Sequence, residues 1–393
     1  MRADGTLLAL AWLTRAADPG HAGIHQLVQR VGAVQAVRLI RDGRVPATVL
    51  AAVGSRVGED RAEADLALAA RHGIDLLTPE DPQWPGAALH AMQVATARGV
   101  PELAPPLALW VRGPAALGDA TGRAVAVIGA RASTAYGEHV AAELSFTLAQ
   151  RGWTIVSGGA LGIDGVAHRA ALAADGVTVA VLAGGLDRPY PAAHGALFER
   201  IAATGLLISE WPPGCAPHRR RFLIRNRLIA GLAAGTVVVE ASARSGTAST
   251  ARRCRELGRP VMAVPGPVTS AASVGTHELL RGDGTEGARL VCSAEHVLEE
   301  IGQLGADLAP LPRGPRTPRD DLDELACRIL DSVPVRRAVP PERIAHSAGV
   351  AVLDVLRVLP GLELRDLIEL TGDGWRLSAA QRRAGASRPS VPS

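Results

Sequence analysis

With 393 residues, 47% of them hydrophobic and 21% charged, the chain has apolar material for two or three domains of roughly 100–200 residues each and is not globally disordered. Aromatic residues make up only 3%, so the cores must be built from Ala, Val and Leu, and no apolar run reaches the ~18 residues that span a bilayer. A net charge of +3 does not by itself demand a polyanionic partner.

The apolar stretch 7–13 is short, follows Asp4 and lacks a cleavage site, so no signal peptide is expected. Residues 24–31 and 33–40 carry apolar side chains at three- and four-residue spacing, joined at Gly32, and 59–71 reads as another helix. Residues 1–110 are therefore expected to form a small helical domain. Its connector holds the strand-like 74–77 and 107–111 and the punctuation Pro105-Pro106 and Gly113-Pro114.

From Ala124 the pattern changes to strand, glycine turn and helix, repeated. Strands are expected at 124–128, 154–157, 177–182, 206–209, 236–240, 260–264 and 289–291, mostly apolar runs without polar alternation, as parallel strands buried on both faces require. In 136–151, Val140, Leu144 and Leu148 mark one buried helical stripe. This alternation predicts a doubly wound α/β sheet over 111–303. Residues 304–321, rich in Pro, Gly and Arg, read as a linker. Helical patterns at 322–333, 341–348 and 350–359, then a hairpin, predict a winged-helix-like domain over 322–380, followed by a disordered tail at 381–393. The would-be recognition helix 350–359 holds a single arginine, Arg357, a poor set for reading a major groove.

Ligands of open α/β sheets sit beyond the carboxyl ends of the strands, where helix N-termini favour anions. Three loops stand there. Gly129-Ala130-Arg131 follows the first strand of the repeat; Ser157-Gly158-Gly159 opens a turn running to Asp164; Ser245-Gly246-Thr247 follows Glu240-Ala241. Glycines let a phosphate approach the backbone, and Arg131 adds a bidentate fork. All 42 basic residues are arginine, so G-x-x-x-x-G-K-[ST] cannot occur, and G-x-G-x-x-G is absent; NAD enzymes and P-loop NTPases are disfavoured. The cysteines at 215, 254, 292 and 327 form no CxxC pair, so no metal site or cofactor is expected and reduced cytoplasmic thiols are the plain reading. Between positions 218 and 227, arginines crowd around Phe222: Arg219, Arg220, Arg221, Arg225 and Arg227, with Asn226. Arginines beside a ring suit single-strand binding; a solvated basic helix end with Phe222 in the core is the alternative.

Val127-Ile-Gly-Ala-Arg131, Val156-Ser-Gly-Gly-Ala-Leu-Gly-Ile-Asp-Gly-Val-Ala-His168, Val181-Leu-Ala-Gly-Gly-Leu-Asp187 with Tyr190-Pro191, Ser209-Glu210, Arg225-Asn-Arg-Leu-Ile-Ala-Gly-Leu232, Val239-Glu-Ala241 and Ala263-Val-Pro-Gly266 follow in order. Together they resemble the DNA-processing protein A (DprA/Smf) family of bacteria. The resemblance implies an extended Rossmann-like, mostly parallel sheet. It also implies a homodimer without catalytic turnover that binds and protects single-stranded DNA and helps load a RecA-type recombinase in transformation. It carries DNA contacts onto Arg131, Ser157, Gly158, Gly159, Phe222, Arg225, Asn226 and Arg227; Gly129, Ser245, Gly246 and Thr247 join them from the loop reading. Leu223, Gly176 and Ala233 depart from the family pattern, and Gly176 stands where a phosphate-binding lysine is common. Four acidic or imidazole groups suggest chemistry instead: Asp164 with His168, Glu210 and Glu240. The rival reading is a nucleotide phosphoribohydrolase-like enzyme on a related fold. Arg252 and Arg253 stand where its glutamate is required, which weakens that reading. A third makes the chain a DNA-binding adaptor acting through its winged helix.

Overall fold

Runs of apolar residues without polar alternation become fully buried strands in the computed structural model, which describes residues 4–243, 246–282, 287–303, 307, 319, 321–372, 374–379 and 381. The chain divides into two units, Met1–Ala309 and Pro310–Ser393. Most of the expected linker at 304–321 and tail at 381–393 lies outside the described residues.

The first unit is built on one nine-stranded sheet. In chain order the strands are β1 (Asp75–Leu77), β2 (Leu109–Arg112), β3 (Ala124–Ile128), β4 (Thr154–Ser157), β5 (Thr178–Leu182), β6 (Leu206–Ser209), β7 (Thr236–Val238), β8 (Val261–Ala263) and β9 (Arg289–Leu290). Their order across the sheet is β1-β2-β6-β5-β4-β3-β7-β8-β9. From β6 to β9 every neighbouring pair is parallel, while β1 and β2 extend the sheet antiparallel beyond β6. The chain winds outward from β3 to β6, returns through the helix Arg219–Leu232, and continues from β7 on the other side. That reversal places a crevice at the carboxyl ends of β3 and β7.

Successive residues of one strand serve different cores. Ala124, Ala126 and Ile128 face the helices Gly86–Ala97 and Arg219–Leu232, whereas Val125 and Val127 face Ala135–Gln150 and Ile163–Ala173. Over β5 and β6 the same sheet also buries the N-terminal helices: Leu10, Trp12 and Leu13 share a core with Trp110, Leu182, Phe198 and Leu207. The boundary read at 110 thus falls inside β2, whose Leu109 and Trp110 point into different cores. Period-two burial of so short a strand is invisible in sequence when both faces are apolar.

His168 is wholly buried beneath this sheet, its Nδ1 2.7 Å from Thr178 Oγ1, which donates to the Ile155 carbonyl at 2.8 Å. With that hydroxyl proton committed, the imidazole is the Nδ1–H donor. Burial, together with His194 and Arg225, pushes its pKa down to about 3. An unfolded chain protonates this residue near 6.5, so the unfolded state binds more protons between 6.5 and about 3. The contribution is intact above 6.5 and is lost as pH falls through that window, at about 1.4 kcal/mol per pH unit. In urea unfolding, the stability difference between wild type and His168→Gln is expected to shrink from neutrality to about pH 4; a pH-independent difference would contradict this placement.

In the second unit the helices Glu324–Asp331, Pro341–Ala348 and Val352–Leu364 enclose a core of Ile329, Ile344, Val355 and Leu359 and lead into the antiparallel pair β10 (Ile368–Thr371) and β11 (Gly374–Leu377). Val339 bridges to Trp375, completing a winged-helix outline. The third helix leaves Leu353 and Leu356 exposed, and its Arg357 lies 4.0 Å from Asp354. Among the described residues, no helix is long and apolar enough to cross a membrane.

Candidate functional site

A cleft of about 1090 Å³ opens at the carboxyl ends of the central strands. It is walled by the loop after β3, the first turns of Arg219–Leu232, the start of the helix Thr247–Glu256 and residues 270–272 after β8. Gly129, Arg131, Phe222, Arg225, Asn226, Gly246 and Thr247, all expected at the site, line it together. Ser157, Gly158, Gly159 and Arg227 do not, and Ser245 lies outside the described residues.

The floor is held by a buried guanidinium. Arg225 donates through Nη1 to the Gly158 carbonyl at 2.8 Å and to the Val181 carbonyl at the end of β5. Across from it, Asp164 is buried in the first turn of Ile163–Ala173 and accepts from the amides of Gly158 at 3.2 Å and Ala160 at 3.4 Å. Burial pushes the Asp164 carboxyl up, opposed by Arg225 and by those amides. Burial likewise lowers Arg225 to about 10, with Asp164 opposing and Arg131 reinforcing, so the guanidinium stays charged at neutral pH.

This arrangement corrects the expected role of the second glycine loop. The Gly158 amide is taken by Asp164, and a side chain at 158 would collide with the Arg225 guanidinium. Ser157 Oγ donates to the Val127 carbonyl at 2.7 Å. Gly159, at φ +67°, packs on Phe198 while its carbonyl lies 3.0 Å from His194 Nδ1. All three are buried, and their polar atoms brace the loop rather than face the cleft. Arg225 has both aspects: its Nη1 bonds are internal, while its side chain lines the cleft. Arg227 is 2% exposed and pairs with Glu210 at 2.5 Å, away from the cleft. Two residues apart on a helix is roughly 200° of rotation, so Arg225 and Arg227 cannot share a face. Counting arginines by density missed that constraint.

What reaches solvent is the rim. Arg131 is exposed, with its guanidinium over the Phe222 ring at 5.1 Å, and Arg225 lies 6.0 Å from the same ring. Half-buried Phe222 is thus a prop that orients Arg131. Arg219, exposed one helical turn before Phe222, also lines the cleft. Sequence reasoning counted it among the arginines without placing it at the site, although its i, i+3 spacing from Phe222 was legible. Ser242 and Ser270 line the far wall. Ser270 follows Gly266 in a carboxyl-end loop with one glycine, unlike the glycine-rich turns that mark the other walls in the sequence. Asn226 Nδ2 and Thr247 Oγ1 make long bonds, each 3.4 Å, to the Gly246 and Gly129 carbonyls, tying the loops together.

The groups that suggested chemistry have internal partners. Glu240 Oε2 accepts from the Thr134 amide at 3.0 Å and Oε1 from its hydroxyl at 2.5 Å, filling the anion site at the N-terminus of Ala135–Gln150. Glu210 faces Arg227, and Asp164 and His168 turn to different partners.

Removing the buried guanidinium strips the Gly158 and Val181 carbonyls of their donor and leaves buried Asp164 without the nearby positive charge. Arg225→Ala is expected to destabilise the protein by roughly 3–5 kcal/mol in chemical denaturation. Arg131→Ala should stay within about 0.5 kcal/mol of wild type. Equal stability of the two variants would refute the division into floor and rim.

The family described as DNA recombination-mediator protein A matches residues 75–302. The chain is 48% identical over 385 residues to a putative DNA processing protein DprA of Mycobacterium tuberculosis, covering 98% of this chain and 97% of that one. It is 40% identical over 259 residues to protein Smf of Escherichia coli, covering 64% and 67%. The X-ray structure of DNA processing protein A from Streptococcus pneumoniae is similar with a TM-score of 0.61 at 30% identity, covering 77% of this chain and 99% of that one.

Proposed function

Since the chain belongs to the DNA recombination-mediator protein A family, we propose that its central cleft holds single-stranded DNA through phosphate contacts from Arg131 and Arg219. The protein is a DNA-processing, recombination-mediator protein. One observation carries the assignment of the contacts. Among the described residues, Arg131 and Arg219 are exposed on the cleft rim without a carboxylate partner, and the acid lining the cleft, Asp164, is engaged by backbone amides.

Gly129, Asn226, Gly246 and Thr247 shape the wall beside those forks, and Phe222 aims Arg131. Ser157, Gly158, Gly159, Arg225 and Arg227 serve the site from beneath. The protein acts without turnover. The internal partners of Glu210, Glu240, Asp164 and His168 support this, because a general base must be free to reach substrate. It works in the cytoplasm as a homodimer that shields the strand and helps load a RecA-type recombinase. The nine-stranded sheet carries the DNA-binding cleft, and the second unit is winged-helix-like, suited by Leu353 and Leu356 to protein contacts rather than to a major groove.

Each phosphate neutralised on a single strand contributes about −0.7 to the log–log salt slope. Arg131→Ala and Arg219→Ala are each expected to weaken oligonucleotide binding irrespective of base sequence and to flatten that slope by about 0.7. Variants that keep both the affinity and the slope of wild type would remove the cleft from consideration.

A further inference from the structure

Base stacking needs an open aromatic face, and Phe222, the ring the sequence points to, does not offer one. Arg131 lies over it at 5.1 Å, Arg225 is 6.0 Å away, and Tyr190 makes a tilted contact at 5.8 Å and 57°. The centroid spacing is within the contact range of aromatic pairs, so no base enters between the two rings. Tyr190 itself is 51% exposed, on the loop after β5. Among the described residues lining the cleft and the notch beside it, Tyr190 is the open ring.

We propose that Tyr190 stacks a base of the strand whose phosphates Arg131 holds, so that the strand runs from the cleft across Phe222 onto the β5 loop. The proposal rests on the single-strand reading of the cleft. Three features of the loop favour it. Gly184, Gly185 and Pro217 line a small notch with Tyr190 and Phe222, so that the two rings share one edge of the loop. Arg188, exposed beside that notch, supplies a fork for the next phosphate. The loop's acid, Asp187, is half-buried and accepts from the Gly214 amide at 2.8 Å, which engages one of its carboxylate oxygens. A stacking contact reads the π-face common to all bases, so it adds affinity without sequence preference, as a protein that handles arbitrary strands requires.

The test compares full-length wild type, Tyr190→Ala and Tyr190→Phe on oligothymidylate and on an abasic single strand of the same length. Tyr190→Ala is expected to bind oligothymidylate roughly 5- to 100-fold more weakly and the abasic strand as wild type does, while Tyr190→Phe retains wild-type binding to both. Photo-crosslinking to 5-iodouracil should place the adduct on Tyr190. Unchanged binding by Tyr190→Ala, or an equal loss on both strands, overturns the proposal while leaving the phosphate cleft in place. Wild-type protein that binds neither strand overturns the single-strand reading and this proposal with it.

Discussion

A charged guanidinium removed from water must find fixed acceptors, and Arg225 finds them in the Gly158 and Val181 carbonyls, with the Asp164 carboxylate opposite. Much of the central sheet's upper edge follows from that one requirement. Gly158 has no space for a side chain because the guanidinium occupies it, and Asp164 must sit at the start of its helix to order the amides of the same loop. The turn after β4, the end of β5 and the helix Arg219–Leu232 are joined through a single residue. Arg131 therefore stands on a braced platform with its guanidinium over Phe222, and a fork so placed would lose less freedom on meeting a phosphate than a free one.

Arginine does two kinds of work here, and the helix angle decides which. Arg219 points into the cleft, Arg221 donates to the Ala216 carbonyl at 2.8 Å and lies over Trp211, Arg225 forms the floor, and Arg227 pairs with Glu210. Elsewhere Arg259 gathers the carbonyls of Ala88 and Ala230, at 2.6 and 2.7 Å, and that of Ala233, clamping two helices. A chain without lysine uses planar, multiply donating groups for internal cross-links that an ammonium would make less well. The modest net charge of +3 is consistent with so many cations having structural partners.

The order of strands and glycine turns was legible in the sequence because parallel strands buried on both faces leave uninterrupted apolar runs. β3, β4 and β6 appear with the expected bounds, and Arg131, Phe222, Asn226 and Thr247 do converge on one cleft. What stayed hidden depends on tertiary neighbours. Ser157, Gly158 and Gly159 look like a phosphate loop until Asp164 and Val127 are seen to take their polar atoms. Nothing local marks Arg227 as the partner of Glu210, seventeen residues earlier and on another element. Tyr190 went unremarked as a contact because its openness is defined only by how Phe222 is already covered.

The central claim is that exposed forks on a rigid rim grip a flexible polyanion. The most direct measurement is the affinity of the wild-type protein for single- and double-stranded oligonucleotides of one length across a salt series. The account predicts tighter binding to the single strand with a log–log slope of about −1.4 or steeper, the signature of at least two phosphates. A salt-independent affinity, or no preference over duplex, would contradict it.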